Sequence, residues 1–398
     1  MKRILIVSSC GKRRNTIGLI GELLSALTEV DHSKYHISLL DTNFFELNHD
    51  SSDYPVDEYI SLNDSFIDKI MRNVPHYRSL YANRKAVQSY KRLFKNNHYD
   101  IVIIYQIPSY SDELVSIAHS NGAKVVFEPF GSDILRASGE GKRRLMKAFS
   151  EVDCVCGRDK SGTINAAIND YKVPLVKLRL QNFYSEGIKR LIEARGKKTR
   201  REMLEDIGIE YSDYNIVCGY SGREAHRHRA IIESLAKVKD VLPEGYQIIF
   251  PMTYGAGTHH EIIISYAAQL KEICDREGLR TAFLTDFMSN EQVAYLHLIT
   301  DLFIEIQPTD NGNGFMMEAI FAENQIVTGR WLKYDRFEQY GVPYHLIDSP
   351  EELPQMLREI FCRQILKPTI PDELLKSMGT VGEQVRSAFW EQLFESLN

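Results

Sequence analysis

Short apolar runs alternate with helical patterns from the first residues of the chain to about residue 157. Runs of this length, bounded by polar turns, are typical of buried β-strands. The predicted strands are residues 3–8, 35–41, 101–106, 124–130 and 154–157. Between them, segments such as 17–27, 112–120 and 142–149 carry apolar residues at helical spacing. Regular alternation of strand and helix predicts an α/β fold with a parallel, doubly wound sheet.

The alternation stops in a charged, helix-prone stretch and then starts again. Further strands are predicted at residues 215–219, 246–252, 281–285, 302–306, 325–328 and 344–347. A chain of 398 residues also exceeds the usual size of one hydrophobic core. We therefore predict two Rossmann-like domains at 1–182 and 214–370, a hinge at 183–213, and a helical tail at 371–398 that returns to the first domain. Ligands of such sheets bind beyond the strand carboxyl ends, so we expect the site in a cleft between the domains.

Composition narrows the class of protein. The opening apolar run from Ile4 to Ser8 is too short for a secretory signal or a membrane span. None of the six cysteines forms a C-x-x-C pair, and a cytoplasmic protein with reduced core thiols is expected. The net charge of −6 argues against nucleic acid as a partner.

One basic stretch stands out against this acidic balance. From Lys69 to His98 the sequence has eight lysines and arginines, no acidic residue and several interleaved aromatic residues. Such a stretch fits an anionic membrane surface at the inner face of the membrane, where basic residues meet the lipid charge and aromatic rings insert shallowly. A solvated helix face whose aromatic rings point into the core explains it equally well.

Residues 301–320 carry the most informative pattern. A predicted strand leads into a loop with Gly312 and Gly314, and the loop opens a helix that bears Glu318. Glycines let a backbone approach its ligand closely, and free amides at a helix N-terminus favour a phosphate. A carboxylate inside that helix can accept hydrogen bonds from two ribose hydroxyls.

Basic side chains follow the first strand of the second predicted domain. Arg223, Arg227 and His228 come directly after the strand 215–219. Positive charge at a strand's carboxyl end is well placed to neutralise a departing nucleoside diphosphate. We assign Arg223 and Arg227 to the phosphates, with His228 as the alternative.

The first domain offers candidate acids and a basic loop. Asp133 follows the strand 124–130 and either orients a substrate hydroxyl or caps the helix that begins near Ile134. Glu128, inside that strand, is the nearest alternative acid. The first predicted loop contains Gly11, Lys12 and Arg13, whose charges suit an anionic acceptor.

The chain resembles the retaining glycosyltransferases of family 4, which have the GT-B fold and a Glu-x7-Glu pattern at this strand, loop and helix. The spacing is kept here as Asp310-x7-Glu318, with Asp in place of the first Glu. The resemblance implies that Glu318 binds the donor ribose and that Asp310 faces the donor sugar. It also implies that amides of Gly312, Asn313, Gly314 and Phe315 meet the diphosphate or sugar.

Two further motifs carry the family 4 resemblance in part. The family has Gly-Arg followed by Lys five residues later, whereas the fifth residue after Arg223 is His228, with Arg227 beside it. The turn that ends in Asp133 is similar to the family's Trp-Gly-Ser-Asp or His-Gly-Ser-Asp turn, with Phe130 in place of the His.

A second resemblance covers much of the second domain. Residues 250–255 with Tyr254, residues 283–288, and Trp331 followed by 340–343 are similar to transferases of 4-acetamido-4,6-dideoxygalactose onto lipid-linked acceptors. Those enzymes are also of GT-B architecture but invert configuration. This resemblance implies that Tyr254 belongs to the donor site.

These patterns predict a glycosyltransferase that moves a sugar from a nucleoside diphosphate, expected to be UDP, to a hydroxyl of a glycan or lipid-linked acceptor in surface polysaccharide assembly. Retention is the expected outcome. We expect no cofactor and no metal, since His259 and His260 are adjacent and cannot face one site together. An inverting enzyme of the same fold and a catalytically degenerate nucleotide-binding or partner-binding protein remain alternatives.

Overall fold

The computed structural model divides the chain into two compact units. Unit 1 comprises Met1–Phe183 and Val381–Asn398, and unit 2 comprises Tyr184–Thr380. The residues that the structure describes are 1–10, 20–21, 23–24, 26–45, 54–62, 65–74, 77–158, 162–181, 186–253, 260–309, 314–332, 341–342, 344–363, 369–372, 375 and 383–397. Each unit is a parallel sheet covered by helices.

Unit 1 is built on seven described strands in the order β3-β2-β1-β4-β5-β6-β7, all parallel. They are β1 (Lys2–Ser8), β2 (Tyr35–Asp41), β3 (Glu58–Ser61), β4 (Ile101–Tyr105), β5 (Lys124–Glu128), β6 (Cys154–Arg158) and β7 (Leu178–Gln181). The order runs outward from β1 on one side and from β4 on the other. A doubly wound α/β domain is confirmed.

Both faces of this sheet are apolar, which explains why the strand sequences are continuous hydrophobic runs. Ile4 and Ile6 of β1 belong to one buried cluster, and Leu5 and Val7 belong to the cluster on the opposite face. Successive side chains of a strand point to opposite faces, so a sheet covered on both sides needs apolar residues at every position.

Two strands of unit 1 are not predicted from the sequence. Strands β3 and β7 lie at the two edges of the sheet, and each contains four residues. Their side chains are half-buried or exposed. An edge strand packs fewer neighbours and tolerates polar residues, so its pattern resembles that of a loop.

Helices connect the strands of unit 1. Those described are α1 (Phe66–Arg72), α2 (Arg78–Asn96), α3 (Ser111–Ser120), α4 (Ser132–Leu135), α5 (Gly139–Glu151) and α6 (Gly162–Asn169). The predicted helices at 112–120 and 142–149 correspond to α3 and α5. The longest of them, α2, carries most of the basic stretch and buries one face that includes Tyr90 and Phe94.

Unit 2 repeats the arrangement with six described strands in the order β10-β9-β8-β11-β12-β13, again all parallel. They are β8 (Tyr214–Cys218), β9 (Tyr246–Pro251), β10 (Thr281–Leu284), β11 (Leu302–Glu305), β12 (Gln325–Gly329) and β13 (His345–Ile347). Strands β8 and β11 are the central pair, from which the order runs outward in both directions.

The described helices of unit 2 are α7 (Glu186–Ala194), α8 (Arg200–Asp206), α9 (His228–Ala236), α10 (His260–Glu277), α11 (Asn290–Ile299), α12 (Gly314–Phe321) and α13 (Leu353–Arg363). Helices α7 and α8 lie within 183–213, where the sequence predicts a hinge, and both pack on α11. The reason is an apolar stripe in this charged stretch, since Ile188, Leu191 and Leu204 are buried.

A hydrogen-bonded carboxylate joins α8 to the start of the unit 2 sheet. Asp301, just before β11, accepts hydrogen bonds from Arg200 Nη2 of α8 at 2.5 Å and from the backbone N–H of Asn215 at 2.8 Å. The Arg200 Nε also donates to the carbonyl oxygen of Ser212 at 3.1 Å. These contacts make α8 part of the folded unit.

The end of the chain returns to unit 1 as helix α14 (Glu383–Ser396). Trp390, Leu393 and Phe394 are buried in the cluster that contains Tyr35, and the Phe394 and Tyr35 rings lie 5.2 Å apart. The ammonium of Lys2 donates to the carbonyl oxygen of Phe394 at 2.6 Å. Of the tail predicted at 371–398, the part from Val381 onward returns to unit 1, whereas residues up to Thr380 belong to unit 2. Across the described residues, no helix has the length and apolar character needed to cross a membrane.

Removing the Asp301 carboxylate should destabilise unit 2. We expect Asp301→Ala to lower the free energy of unfolding by about 2 kcal/mol, because the Asn215 amide and the Arg200 guanidinium lose a charge-assisted acceptor. Urea unfolding followed by circular dichroism measures the change.

The matched control is Asp240→Ala, which removes an exposed carboxylate that accepts two hydrogen bonds from Arg358. Water replaces such a partner readily, so its unfolding midpoint should stay close to that of the unaltered chain. An equal shift in both variants would contradict a special role for Asp301.

Candidate functional site

The centre of the unit 2 sheet brings together the two most informative sequence segments. Strands β8 and β11 are hydrogen-bonded neighbours, with Cys218 opposite Ile304. The loop that bears Arg223 and Arg227 follows β8, and the segment that leads to Glu318 follows β11. In doubly wound sheets, ligands bind beyond the strand carboxyl ends at the point where the strand order diverges. Both predicted segments therefore begin at the position where this fold binds ligands.

The loop after β8 folds tightly back on itself. Gly219 has a φ of +64°, and a Cβ at this position would lie 3.1 Å from the His226 ring and 3.2 Å from the His228 ring. At Gly222 a Cβ would lie 2.9 Å from the carbonyl oxygen of Met252. Both glycines are needed because the backbone passes within contact distance of its neighbours.

The two arginines of this loop differ in exposure. Arg223 is exposed, and Arg227 is half-buried with its guanidinium carbon 5.5 Å from the Trp331 ring centroid. Arg227 has left-handed backbone angles, φ 56° and ψ 35°, at the N-cap of α9. A non-glycine residue in this region costs about 1 kcal/mol, and such residues are concentrated at functional sites. Two positive charges thus lie beyond the carboxyl end of β8.

A buried pair of ionisable groups connects the two loops. The Nδ1 of His226 lies 3.6 Å from the Oε2 of Glu305, and the side chains are 4% and 0% exposed. Glu305 ends β11, and His226 belongs to the loop after β8. Prediction from the sequence missed both residues, although an acid in the apolar run of β11 is a usable signal, because an unpartnered buried carboxylate is very unfavourable.

His228 has a different position from the one that the sequence predicts. Its ring is fully buried, and neither nitrogen forms a hydrogen bond within the described part of the chain. Burial, followed by the neighbouring His226, lowers the pKa of His228 to about 3. The imidazole is therefore neutral near pH 7, and it has no exposed surface on which to receive a diphosphate.

Aromatic rings join the β8 loop to the start of α12. The Tyr220 ring stacks on the Phe315 ring at 5.6 Å and meets the His226 ring edge-on at 4.4 Å. Gln307 donates to the Tyr220 hydroxyl at 3.3 Å, and the Trp331 indole donates to the Gln307 carbonyl oxygen at 2.8 Å. Phe315, singled out for its amide, is thus fixed beside the loop that bears the arginines. The sequence gives no spacing that predicts this cluster.

Glu318 is more enclosed than a surface ligand would be. Its carboxylate lies 3.0 Å from the Nε2 of His297, which is buried. It also packs on the first turn of α7, where a Cβ at Gly187 would come within 1.9 Å of its Oε1. A carboxylate near a helix N-terminus is favoured by the free amides of that turn. Sequence reasoning identified Glu318 but neither of these neighbours.

Several predicted site residues lie outside the described residues. They are Gly11, Lys12, Arg13, Tyr254, Asp310, Gly312 and Asn313. Gly314 is described and begins α12.

In unit 1, the Asp133 carboxylate organises the turn after β5. Its Oδ2 accepts hydrogen bonds from the amides of Ile107 at 2.9 Å and Phe130 at 3.0 Å. Its Oδ1 accepts from the amides of Gly131 at 2.7 Å and Ile134 at 3.0 Å. A carboxylate has about four acceptor positions, and backbone amides occupy all of them. This geometry favours the structural interpretation of Asp133, and it extends beyond a simple helix cap.

Glu128 is the remaining candidate acid of unit 1. It ends β5, is half-buried, and accepts a hydrogen bond from the Gln181 side chain at 3.3 Å. The Phe130 ring, which replaces the histidine of the family 4 turn, is 37% exposed and lies 6.2 Å from the Tyr105 ring. Within the described ranges, no group of three or more histidines, cysteines or carboxylates is arranged to hold a metal ion.

Comparison with known proteins shows similarity at the level of structure. No protein-family model and no curated protein matches the sequence. HepE of Anabaena in complex with UDP is 14% identical, with a TM-score of 0.64 over 100% of this chain and 99% of that chain. Sucrose-phosphate synthase of Thermosynechococcus elongatus is 11% identical, with a TM-score of 0.71 over 100% and 99%.

A third similar structure is the E. coli trehalose-6-phosphate structure bound with UDP-2-fluoro glucose. It is 14% identical, with a TM-score of 0.63 over 100% of this chain and 99% of that chain. At such low identity the similarity shows the fold alone. The chain therefore has two Rossmann-like domains of the GT-B type.

The buried His228 should make unit 2 sensitive to acid. The pKa of His228 in the folded protein is about 3, whereas an unfolded histidine titrates near 6.5. Below about pH 6 the unfolded state therefore binds a proton that the folded state does not. We expect this residue to reduce the free energy of unfolding by up to about 1.4 kcal/mol per pH unit as the pH falls toward 4.

Urea unfolding at a series of pH values, compared with the variant His228→Phe, measures this contribution. The variant should lose stability less steeply with acid, since the carboxylates that titrate in the same range are common to both proteins. The same slope in both would show that His228 is not the group responsible.

Proposed function

We propose that this chain is a metal-independent glycosyltransferase that moves a sugar from a nucleoside diphosphate sugar to a hydroxyl acceptor. One observation carries the proposal. The segments whose chemistry suits a diphosphate and a ribose both start at the carboxyl ends of β8 and β11, the central strands of unit 2. Such a position is where this kind of sheet binds nucleotides.

Two arginine side chains are proposed to contact the phosphates of the donor. Arg223 and Arg227 extend beyond β8, and Arg227 has a neighbour in the Trp331 ring. In the proposed reaction both guanidinium groups stabilise the negative charge that builds up on the departing diphosphate. The backbone amides of Gly312, Asn313 and Gly314 are proposed to complete this contact, and Tyr254 is proposed to line the donor site.

The buried His226 and Glu305 pair acts as a positioning device in this proposal. It connects the loop that carries the arginines to the end of β11. Rigid placement of charge lowers the cost of reorganisation as the diphosphate departs. Glu318 is proposed to hold the ribose hydroxyls, and its contacts with His297 and α7 would fix its orientation.

The proposed donor is a UDP-sugar. Two structures of similar fold hold UDP or a UDP-sugar, namely HepE of Anabaena and the E. coli structure with UDP-2-fluoro glucose. Those ligands belong to those proteins, and they support a uridine nucleotide as the first one to test here.

Retention of configuration is proposed as the outcome. The spacing Asp310-x7-Glu318 supports it by resemblance to family 4. Inversion needs a general base on the acceptor side. Backbone amides already donate hydrogen bonds to both carboxylate oxygens of Asp133, which leaves Glu128 as the candidate for the general base.

The proposed sugar acceptor is a hydroxyl of a glycan or lipid-linked glycan in surface polysaccharide assembly, with Lys12 and Arg13 near its anionic part.

Donor binding tests the site directly. We expect Arg223→Ala and Arg227→Ala each to weaken UDP binding about 10- to 100-fold, because each removes a charge-assisted contact with phosphate. Isothermal titration calorimetry measures the dissociation constants. The matched control is Arg276→Ala, which changes an exposed arginine at the end of α10 and should leave the constant unchanged. Equal affinity in all variants would rule out the assigned phosphate site.

Turnover tests the activity. The protein is incubated with UDP-, GDP- and TDP-sugars and a membrane lipid extract, with and without a chelator, and released nucleoside diphosphate is measured. Release that persists with the chelator and falls in Glu318→Gln is the expected result. Binding of a nucleotide without any release would point instead to a degenerate nucleotide-binding protein.

A further inference from the structure

Helix α1 presents three of its four apolar residues to solvent and its acid to the interior, while Met71 packs on the buried cluster that contains Phe44. Phe66 is 78% exposed, Ile67 is 60% exposed and Ile70 is 50% exposed. Asp68, on the other side of the helix, is 1% exposed. A helix on the surface of a soluble domain normally has the opposite arrangement, with its apolar stripe facing the core.

Hydrogen bonds to Asp68 fix this orientation. Its carboxylate accepts from the backbone N–H of Ser65 at 2.6 Å and from the hydroxyl of Tyr81 at 2.9 Å. It also pairs with the ammonium of Lys85, which is on α2. Rotating α1 to bury its apolar face would take the Asp68 carboxylate away from Tyr81 and Lys85 on α2. A buried acceptor that loses its partners is costly. The apolar face of α1 therefore stays outward.

The start of α2 also exposes apolar side chains. Tyr77, the N-cap of α2, is 62% exposed, and Leu80 in its first turn is 51% exposed. Tyr90 and Phe94, further along the helix, are buried. The aromatic rings of the basic stretch therefore differ along its length. Tyr90 and Phe94 pack into the core, Tyr81 is half-buried against Phe44, and Tyr77 is exposed.

Positive charges surround this apolar surface. Lys69, Arg78 and Arg84 are exposed, and within the described part of the chain none of them has an ion-pair partner. No acidic residue occurs between Lys69 and His98. The basic side chains are therefore available to an anionic partner.

The position of this surface in the fold is also informative. Helix α1 follows the carboxyl end of β3, an edge strand, and the Arg72 Nε donates to the carbonyl oxygen of Phe44, beyond the carboxyl end of β2, at 2.8 Å. The exposed surface therefore lies toward the end of the unit 1 sheet where ligands bind in doubly wound domains.

We propose that the α1–α2 patch, formed by Phe66, Ile67, Ile70, Tyr77 and Leu80 with Lys69, Arg78 and Arg84 around them, docks unit 1 on an anionic lipid bilayer. The apolar side chains enter the boundary between head groups and acyl chains, and the basic side chains contact lipid phosphates. A symmetric contact between two copies of the chain is disfavoured, because it would bring the basic side chains of both copies together. The proposal goes beyond glycosyl transfer and needs no donor.

Vesicle binding tests the patch without any nucleotide. The full chain is sedimented with vesicles of phosphatidylcholine and phosphatidylglycerol, and separately with phosphatidylcholine alone. We expect binding to the anionic vesicles that weakens as salt is raised, since screening shortens the reach of the charges. The triple variant Phe66→Ser/Ile67→Ser/Ile70→Ser should bind at least about tenfold more weakly, and Lys69→Glu/Arg84→Glu should do so by a similar factor.

A matched control lies at the opposite edge of the same sheet. Leu175 and Val176 are 71% and 78% exposed and precede β7, whereas α1 follows β3. The variant Leu175→Ser/Val176→Ser should bind the vesicles as the unaltered chain does. Equal binding of the α1 variant and this control would overturn the proposal. The proposal would also be overturned if the unaltered chain did not bind vesicles but self-associated, and if that self-association disappeared in the α1 variant.

A nitroxide label gives a second measurement that does not depend on affinity. Cys362 is exposed and the other five cysteines are buried, so Cys362→Ser provides the background. A label on Ile67→Cys should become accessible to oxygen and protected from a water-soluble relaxation agent when anionic vesicles are added. A label on Val176→Cys should remain in water. A water-exposed label at position 67 in the vesicle-bound protein would overturn the proposed patch.

Discussion

The backbone pairing of β8 with β11 is the contact on which the proposed donor site depends. Because the two strands are parallel neighbours, their following loops leave the sheet at one point although they are distant in sequence. That adjacency brings Tyr220 against Phe315 and His226 against Glu305. The loop glycines then allow the chain to pack closely enough for those contacts. With a different strand order, the arginines and the helix that bears Glu318 would not lie at the same site.

The sequence was sufficient for the parts of the fold that repeat a simple physical pattern. Central strands such as β4 are apolar at every position because both faces are covered, and this makes them recognisable. The edge strands β3 and β7 lack that signal. The charged stretch that contains α7 and α8 also has a short apolar stripe. Its buried residues Ile188 and Leu204 are separated by many polar residues, so the stripe is not evident in the sequence. Packing partners of this kind are set by the tertiary fold, and a one-dimensional pattern does not contain them.

The candidate site shows the same limit at the level of side chains. Residue type drew attention to Asp133 and Glu318, but it gave no information on what each carboxylate would contact. Four backbone amides surround Asp133, and a histidine and a helix terminus enclose Glu318. An acid that looks available in a sequence is often already engaged by its own chain. The buried Glu305 is the converse case, since an acid inside an apolar strand signals a partner that only the fold can identify.

The return of α14 to unit 1 has a consequence for the order in which the protein forms during synthesis. Trp390 and Phe394 belong to the same buried cluster as Ile4 and Tyr35. Unit 2 lies between these two pieces of sequence, and all of its residues emerge from the ribosome before Trp390 does. Unit 1 is therefore the first domain to begin folding and the last to be completed. Until α14 is synthesised, part of its hydrophobic core lacks its packing partner. Its unfinished apolar surface is a natural target for chaperones.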